Sequence, residues 1–177
     1  MVGSPSASSV SSRETCAAGF LTAVDSPSHG IFGGYLLVDT VGRPLEFYCT
    51  APIRVSRAQQ ILYGHTLESH LHGKQIGATL IEESSLEPRV VLTDLPAMLH
   101  AGIHTSVPLG LVKTNEEESS SCELGMLRIG SRSVRFDGNN ESLVSLMRER
   151  LSFLDPQFDV AEPFERIRAA IEEAQKR

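Results

Sequence analysis

The chain has only three cysteines in 177 residues, Cys16, Cys49 and Cys122, and no pair stands at CxxC spacing. That excludes a zinc ribbon and a thioredoxin-like redox pair. An odd count without metal-type spacing fits free thiols in a reducing, intracellular setting. Cations are also scarce: 16 Lys and Arg stand against 22 Asp and Glu, for a net charge of −6. A protein whose main work is gripping nucleic-acid backbone needs a concentrated positive face, so nucleic acid is not expected as a partner. No apolar run approaches the roughly 20 residues of a membrane span. The start of the chain lacks the basic-then-apolar pattern of a secretory signal, so cytoplasm is the expected location. There is no GxSxG elbow, no GxxxxGK[ST] phosphate loop and no HExxH helix, and the glycines at 30–34 precede a strand rather than open a helix.

What remains is an ordinary globular composition, 41% hydrophobic and 21% charged, and a length suited to one domain with a real core. Residues 1–15 are Ser-rich with little to bury and read as a disordered tail, leaving 16–177 as a single α+β domain. Its centre is GGYLLVDTVGRPLEFYCT at 33–50, two strands joined by a turn at Gly42. The first of them is almost wholly apolar, which suits a strand covered on both faces. A strand at 19–25 precedes it, and strands at 89–94, 107–113, 126–130 and 133–137 follow. The expected fold is a mixed, mostly antiparallel sheet of six or seven strands covered by helices. Helical stretches are expected after Ser56 and Thr66, the second turning Leu67, Leu71, Ile76 and Leu80 inward, with Gly73 and Gly77 weakening it or allowing close packing. A pair of amphipathic helices closes the chain, the last opening at Pro163 and running to Lys176. Covering the sheet is the expected role of that last helix, and a homodimer contact the alternative. Arg166 and Arg168 beside Glu165 and Glu172 read as its solvated face.

Histidine is the most suggestive residue type, with five of the six between positions 65 and 104. In an unbroken helix His65, Glu68 and His72 share a face at i, i+3 and i+7, and His100 pairs with His104 at i, i+4. Imidazoles so spaced suit zinc, with Glu68 as an oxygen ligand. The candidates for a metal site are His72, His100 and His104, and for a binding surface Tyr63, His65, His70 and His72. Against a metal site, Gly64-His65-Thr66 reads as a helix boundary and Gly102 interrupts the second pair. The plain alternative is histidines that are exposed or hydrogen-bonded in packing. Cys49, embedded in a strand without a local base, reads as a small core residue.

Two resemblances stand beside these readings. The run GGYLLVDTVGRPLEF followed by RAQQILYG resembles an uncharacterised bacterial protein family, and implies no activity, cofactor or residue role. The order of elements, three strands, a helical stretch, a strand ending in Asp94, a short helix and another strand, resembles an RNase H-like fold. Residues 90–113 resemble the corresponding part of the endonuclease V family, where a strand-end Asp precedes a His. Such folds hold divalent metal with carboxylates from the first strand, the first helix and the end of the fourth strand, which implies Asp25, Glu68 and Asp94 with magnesium. Asp25 sits beside a Ser-Pro turn, and Asp94 is equally well placed to cap the helix at Pro96.

The main expectation is therefore a cytosolic, non-catalytic binding or assembly module, working through residues 63–73 and 95–105 on a protein partner or on a second copy. The alternative is a divalent-metal-dependent phosphodiesterase or nuclease using Asp25, Glu68 and Asp94.

Overall fold

A computed structural model describes residues 16–113, 125–137 and 141–177. The expected tail at 1–15, and Cys122, lie outside those residues. Seven strands, β1 (Ala18–Ser26), β2 (Gly30–Val38), β3 (Pro44–Cys49), β4 (Val90–Thr93), β5 (Leu109–Lys113), β6 (Met126–Ile129) and β7 (Arg132–Phe136), form one sheet in the order β3-β2-β1-β4-β5-β7-β6. β1, β2 and β3 pair antiparallel, β4 runs parallel to β1, and β5 runs parallel to β4. β7 and β6 complete the sheet as an antiparallel hairpin beside β5. The α+β fold and the mixed, mostly antiparallel sheet expected from the sequence are what the chain adopts.

The sheet is covered on both faces, and period-two alternation divides its side chains between them. Phe20, Leu36, Leu92 and Val134 point to one side, where Met147, Leu151, Phe164, Ile167 and Ile171 meet them. These come from α4 (Glu141–Leu151) and α5 (Glu162–Gln175). Leu21, Tyr35, Leu37 and Val91 point to the other, against Leu71, Ile76, Leu80, Met98 and Ala101. Each such side chain taken out of water stabilises the fold by about 1.5–3 kcal/mol before the cost of ordering it. The apolar stripe of α5 is thus spent on its own sheet. That corrects the alternative in which it meets a second copy.

The second helical layer is less regular. Arg57–Tyr63 forms α1, opened by a capping box in which Ser56 Oγ accepts from the Gln59 amide at 3.2 Å and Gln59 Oε1 accepts from the Ser56 amide at 2.9 Å. None of its residues is buried, and Ile61 and Leu62 are 66% and 83% exposed. A 3₁₀ turn (Gly64–Thr66) and a short α2 (Leu67–Ser69) lead into a π-helical segment, His70–Ala78, which ends in α3 (Thr79–Glu83). Leu71 and Ile76 stand five residues apart, a spacing that an α-helix splays and a π turn brings to one side. Gly73 and Gly77 lie against His100 and Ala101 of a 3₁₀ helix, Pro96–Ile103. Among the described residues no helix is long and apolar enough to cross a membrane.

Gly33 and Gly34 set how closely both layers approach. A Cβ on Gly33 would collide with Ile76, and one on Gly34 with Ile167, on opposite faces of β2. Eight residues beyond Gly34, Gly42 takes φ +84° in a turn where Asp39 Oδ1 accepts from the Val41 amide at 3.0 Å and the Arg43 amide at 2.9 Å. The C-terminal region grips this turn: Arg166 Nη1 donates to the Gly42 carbonyl at 2.9 Å, and the Asp155 amide to the Thr40 carbonyl at 2.8 Å.

Two outcomes follow from this packing. Gly34→Ala is expected to destabilise the protein by about 1–3 kcal/mol, the usual cost of an extra carbon in a filled core. It should lower the urea midpoint without changing the slope of the transition. Asp159, whose carboxyl is held below the usual carboxylate range chiefly by hydrogen bonds from Arg132, ties the β6–β7 hairpin to the turn before α5. A lowered folded-state value favours the native state above about pH 4, and that contribution fades as pH falls through the lowered value. Arg132→Gln should therefore flatten the acid side of the stability–pH curve, measured by urea unfolding from neutral pH downward.

Candidate functional site

The carboxyl end of β4 lies beside the middle of β1, where Leu21 pairs in register with Thr93. The next residue of each strand, Thr22 and Asp94, faces the α5 side, in phase with Phe20 and Leu92. Thr22 is fully buried, and its Oγ1 donates to Asp94 Oδ1 at 2.7 Å. Arg168, reaching over from α5, donates through Nη2 to Asp94 Oδ2 in a very close contact and to Thr22 Oγ1 at 3.3 Å. The carboxylate side chain is 6% exposed and the guanidinium side chain 41%. This places a nearly buried anion under a cation that opens to solvent.

Asp94 does not cap the following helix, as the sequence allowed. That helix has Leu95 as its N-cap with no side-chain cap bond, and the Thr93 hydroxyl accepts from the Leu95 amide at 3.1 Å. Both oxygens of Asp94 are left to Thr22 and Arg168.

The other two carboxylates stand apart from it. Alternation along β1 gives Asp25 the parity of Leu21 and Ala23, on the opposite face from Asp94. There Asp25, His65, Glu68 and His72 line an open cleft of about 750 Å³, with Arg54 and Gln60. His65, Glu68 and His72 line this cleft from three successive elements rather than from the unbroken helix that their spacing assumed, and His72 Nδ1 is hydrogen-bonded to the Glu68 carbonyl at 3.1 Å. His70 turns to stack on Tyr63, ring centroids 4.6 Å apart. His100 and His104 do not pair. Their segment is a 3₁₀ helix with three residues per turn, which rotates positions four apart away from each other, and His104 is its C-cap. Among the described residues no group of three His, Cys, Asp or Glu is placed to hold a metal ion. Cys49 is exposed on β3 rather than a core residue, and desolvation raises its thiol pKa, the reverse of an activated nucleophile.

Thr22 and Arg168 are the participants that sequence reading missed. Thr22 left a faint signal, a lone hydroxyl in the apolar run of β1. Arg168 left none, because a charged residue on an amphipathic helix reads as solvated until the sheet beneath it is seen.

No family model matches the sequence, and no curated protein is similar to it. Among solved structures, the catalytic domain of human endonuclease V aligns over 93% of this chain and 85% of its own, at 11% identity and TM-score 0.49. Endonuclease V of Ciona intestinalis, in complex with a DNA containing an inosine, aligns over 89% and 86%, at 11% identity and TM-score 0.44. An Argonaute of Marinitoga piezophila with guide RNA aligns over 82% of this chain and 27% of its own, at 12% identity and TM-score 0.36.

These neighbours correct two expectations. The expected non-catalytic binding or assembly module is one of them: the solved structures that align with this chain are those of nucleases and an Argonaute, not of binding modules. The expectation that nucleic acid is no partner is the other: two of these neighbours were solved with DNA or RNA bound.

The pair also makes an energetic prediction. Removing Arg168 strands a nearly buried carboxylate, whereas removing Asp94 leaves a guanidinium free to enter water. Arg168→Ala should cost about 2 kcal/mol, below the 3–5 kcal/mol of a fully buried pair because Arg168 is half-exposed. Asp94→Ala should cost about half as much, and urea unfolding of both variants at neutral pH measures the asymmetry.

Proposed function

We propose that the protein is a divalent-metal-dependent phosphodiesterase acting on nucleic acid, with its reaction centre at the carboxyl end of β4, beside the middle of β1. The observation that supports this reading is Asp94: a carboxylate at the end of a parallel strand, neither a helix cap nor a turn former, held by a buried hydroxyl and facing an outward guanidinium. Ligands of sheets with parallel strands gather at those strand ends.

The residues present fit a metal in one form only. Asp25, Glu68 and Asp94 do not make a three-carboxylate cradle. Magnesium, however, keeps several of its waters and is commonly held by one or two carboxylates together with substrate phosphate, and Asp94 supplies one. When bound, such an ion would polarise a phosphoryl oxygen and lower the pKa of a water. The remaining work belongs to the chain. Thr22 fixes the orientation of Asp94 through its 2.7 Å hydrogen bond. Arg168 presents the planar fork that matches a phosphate, so its guanidinium would bind a phosphodiester oxygen and stabilise charge gathering there. The nearly complete burial of Asp94 keeps bulk water from screening these charges.

The test is cleavage of labelled single- and double-stranded DNA and RNA in magnesium or manganese. The wild type should cleave at least one class, EDTA should stop it, and Asp94→Asn should lower the rate by about 100-fold or more, roughly the loss of a single charge-stabilising group. Wild-type protein that cleaves none of the four faster than Asp94→Asn would overturn the reading.

A further inference from the structure

Neither oxygen of Asp94 is free in this structure. Oδ1 accepts from Thr22, which is fully buried, and Oδ2 accepts from Arg168, whose side chain is 41% exposed. A cation arriving from solvent therefore competes for Oδ2 with a guanidinium that is always protonated. Two positive groups cannot share one carboxylate oxygen without strong mutual repulsion. Arg168 has somewhere else to go: Glu165 and Glu172 stand three and four residues away on α5, within reach of a released guanidinium. A phosphodiester laid across the site offers it a better acceptor still.

We propose that Arg168 is a displaceable counter-ion that keeps the divalent cation off Asp94 until a phosphodiester draws the guanidinium away. This inference rests on the phosphodiester reading of the site and adds an order of events to it. In the free protein Arg168 neutralises Asp94. When the strand arrives, Arg168 transfers its hydrogen bonds to a phosphate oxygen, and Oδ2 becomes available to the cation. Cation and strand binding are thereby coupled, each raising the affinity for the other. Arg168 acts here through Asp94, as a positioning residue for the cation.

The experiment titrates the full chain with manganese alone, following free manganese by electron paramagnetic resonance and the melting temperature in parallel. Wild-type protein should bind weakly and melt at an almost unchanged temperature. Arg168→Gln should bind manganese roughly tenfold tighter or more, within the usual range of coupled sites, and its lowered melting temperature should rise as the ion binds. The double variant R168Q/D94N should lose that gain, and Arg168→Lys, which keeps a positive charge on Asp94, should resemble the wild type. A structural role alone would lower the melting temperature of Arg168→Gln without changing manganese affinity, and that result would overturn the proposal.

Should Arg168→Gln fail to fold, wild-type protein decides the matter. A short phosphorothioate oligonucleotide should tighten its manganese binding by a similar factor, and unchanged affinity would overturn the proposal. Failure of the nuclease reading looks different: tighter manganese binding by Arg168→Gln without cleavage by any form of the protein removes the activity and leaves the displacement standing. Cleavage with equal manganese affinity in wild type and Arg168→Gln removes the displacement and leaves the activity standing.

Discussion

Coverage of the central strands on both faces is the constraint from which the rest of the molecule follows. β2 must meet the π-helical layer on one side and α5 on the other, and adjacent glycines, Gly33 and Gly34, make room for Ile76 and Ile167 in turn. Because α5 is seated this low on the sheet, a residue one turn beyond Phe164 can reach the end of β4. Arg168 meets Asp94 for that reason. The close seating of α5 at a glycine of β2 thus helps to build the charged pair at the end of β4.

That pair gives the site its character. A carboxylate 6% exposed would be costly if left alone, and it persists because a buried hydroxyl and a guanidinium satisfy it. One partner is fixed in the core and the other is half in water, so the two bonds differ in how readily they break. Thr22 serves as a permanent bond and Arg168 as an exchangeable one. The acidic balance of the whole chain is silent about this arrangement, whose charges nearly cancel locally.

The sequence made much of the fold legible. Alternation in β1 and β2, the Asp39–Gly42 turn and the stripes of α4 and α5 are local patterns, and local patterns survive into the structure. The irregular layer was legible in part: the five-residue step from Leu71 to Ile76 does not fit an α-helical period, and the chain resolves it as a π-helical segment. Where the reading rested on assumed helical period it failed, as for His100 and His104 on a 3₁₀ helix. Of the site, only Asp94 could be singled out beforehand. Thr22 and Arg168 are 146 residues apart in the chain and become neighbours only through the register of β1 with β4 and the seating of α5, neither of which has a local signature.

The seven residues of α1 occupy a different place in the energetics. A helix that short is marginal by itself, and this one buries nothing, so its capping box and its covalent ends are what define it. Its backbone amides belong to an opening unit of their own, one that can unwind and exchange hydrogen with solvent while the sheet and both cores stay intact. The molecule consequently has two tiers of stability, a cooperative two-sided body and, beside the cleft lined by Asp25 and Glu68, a short helix held by its capping box and its ends.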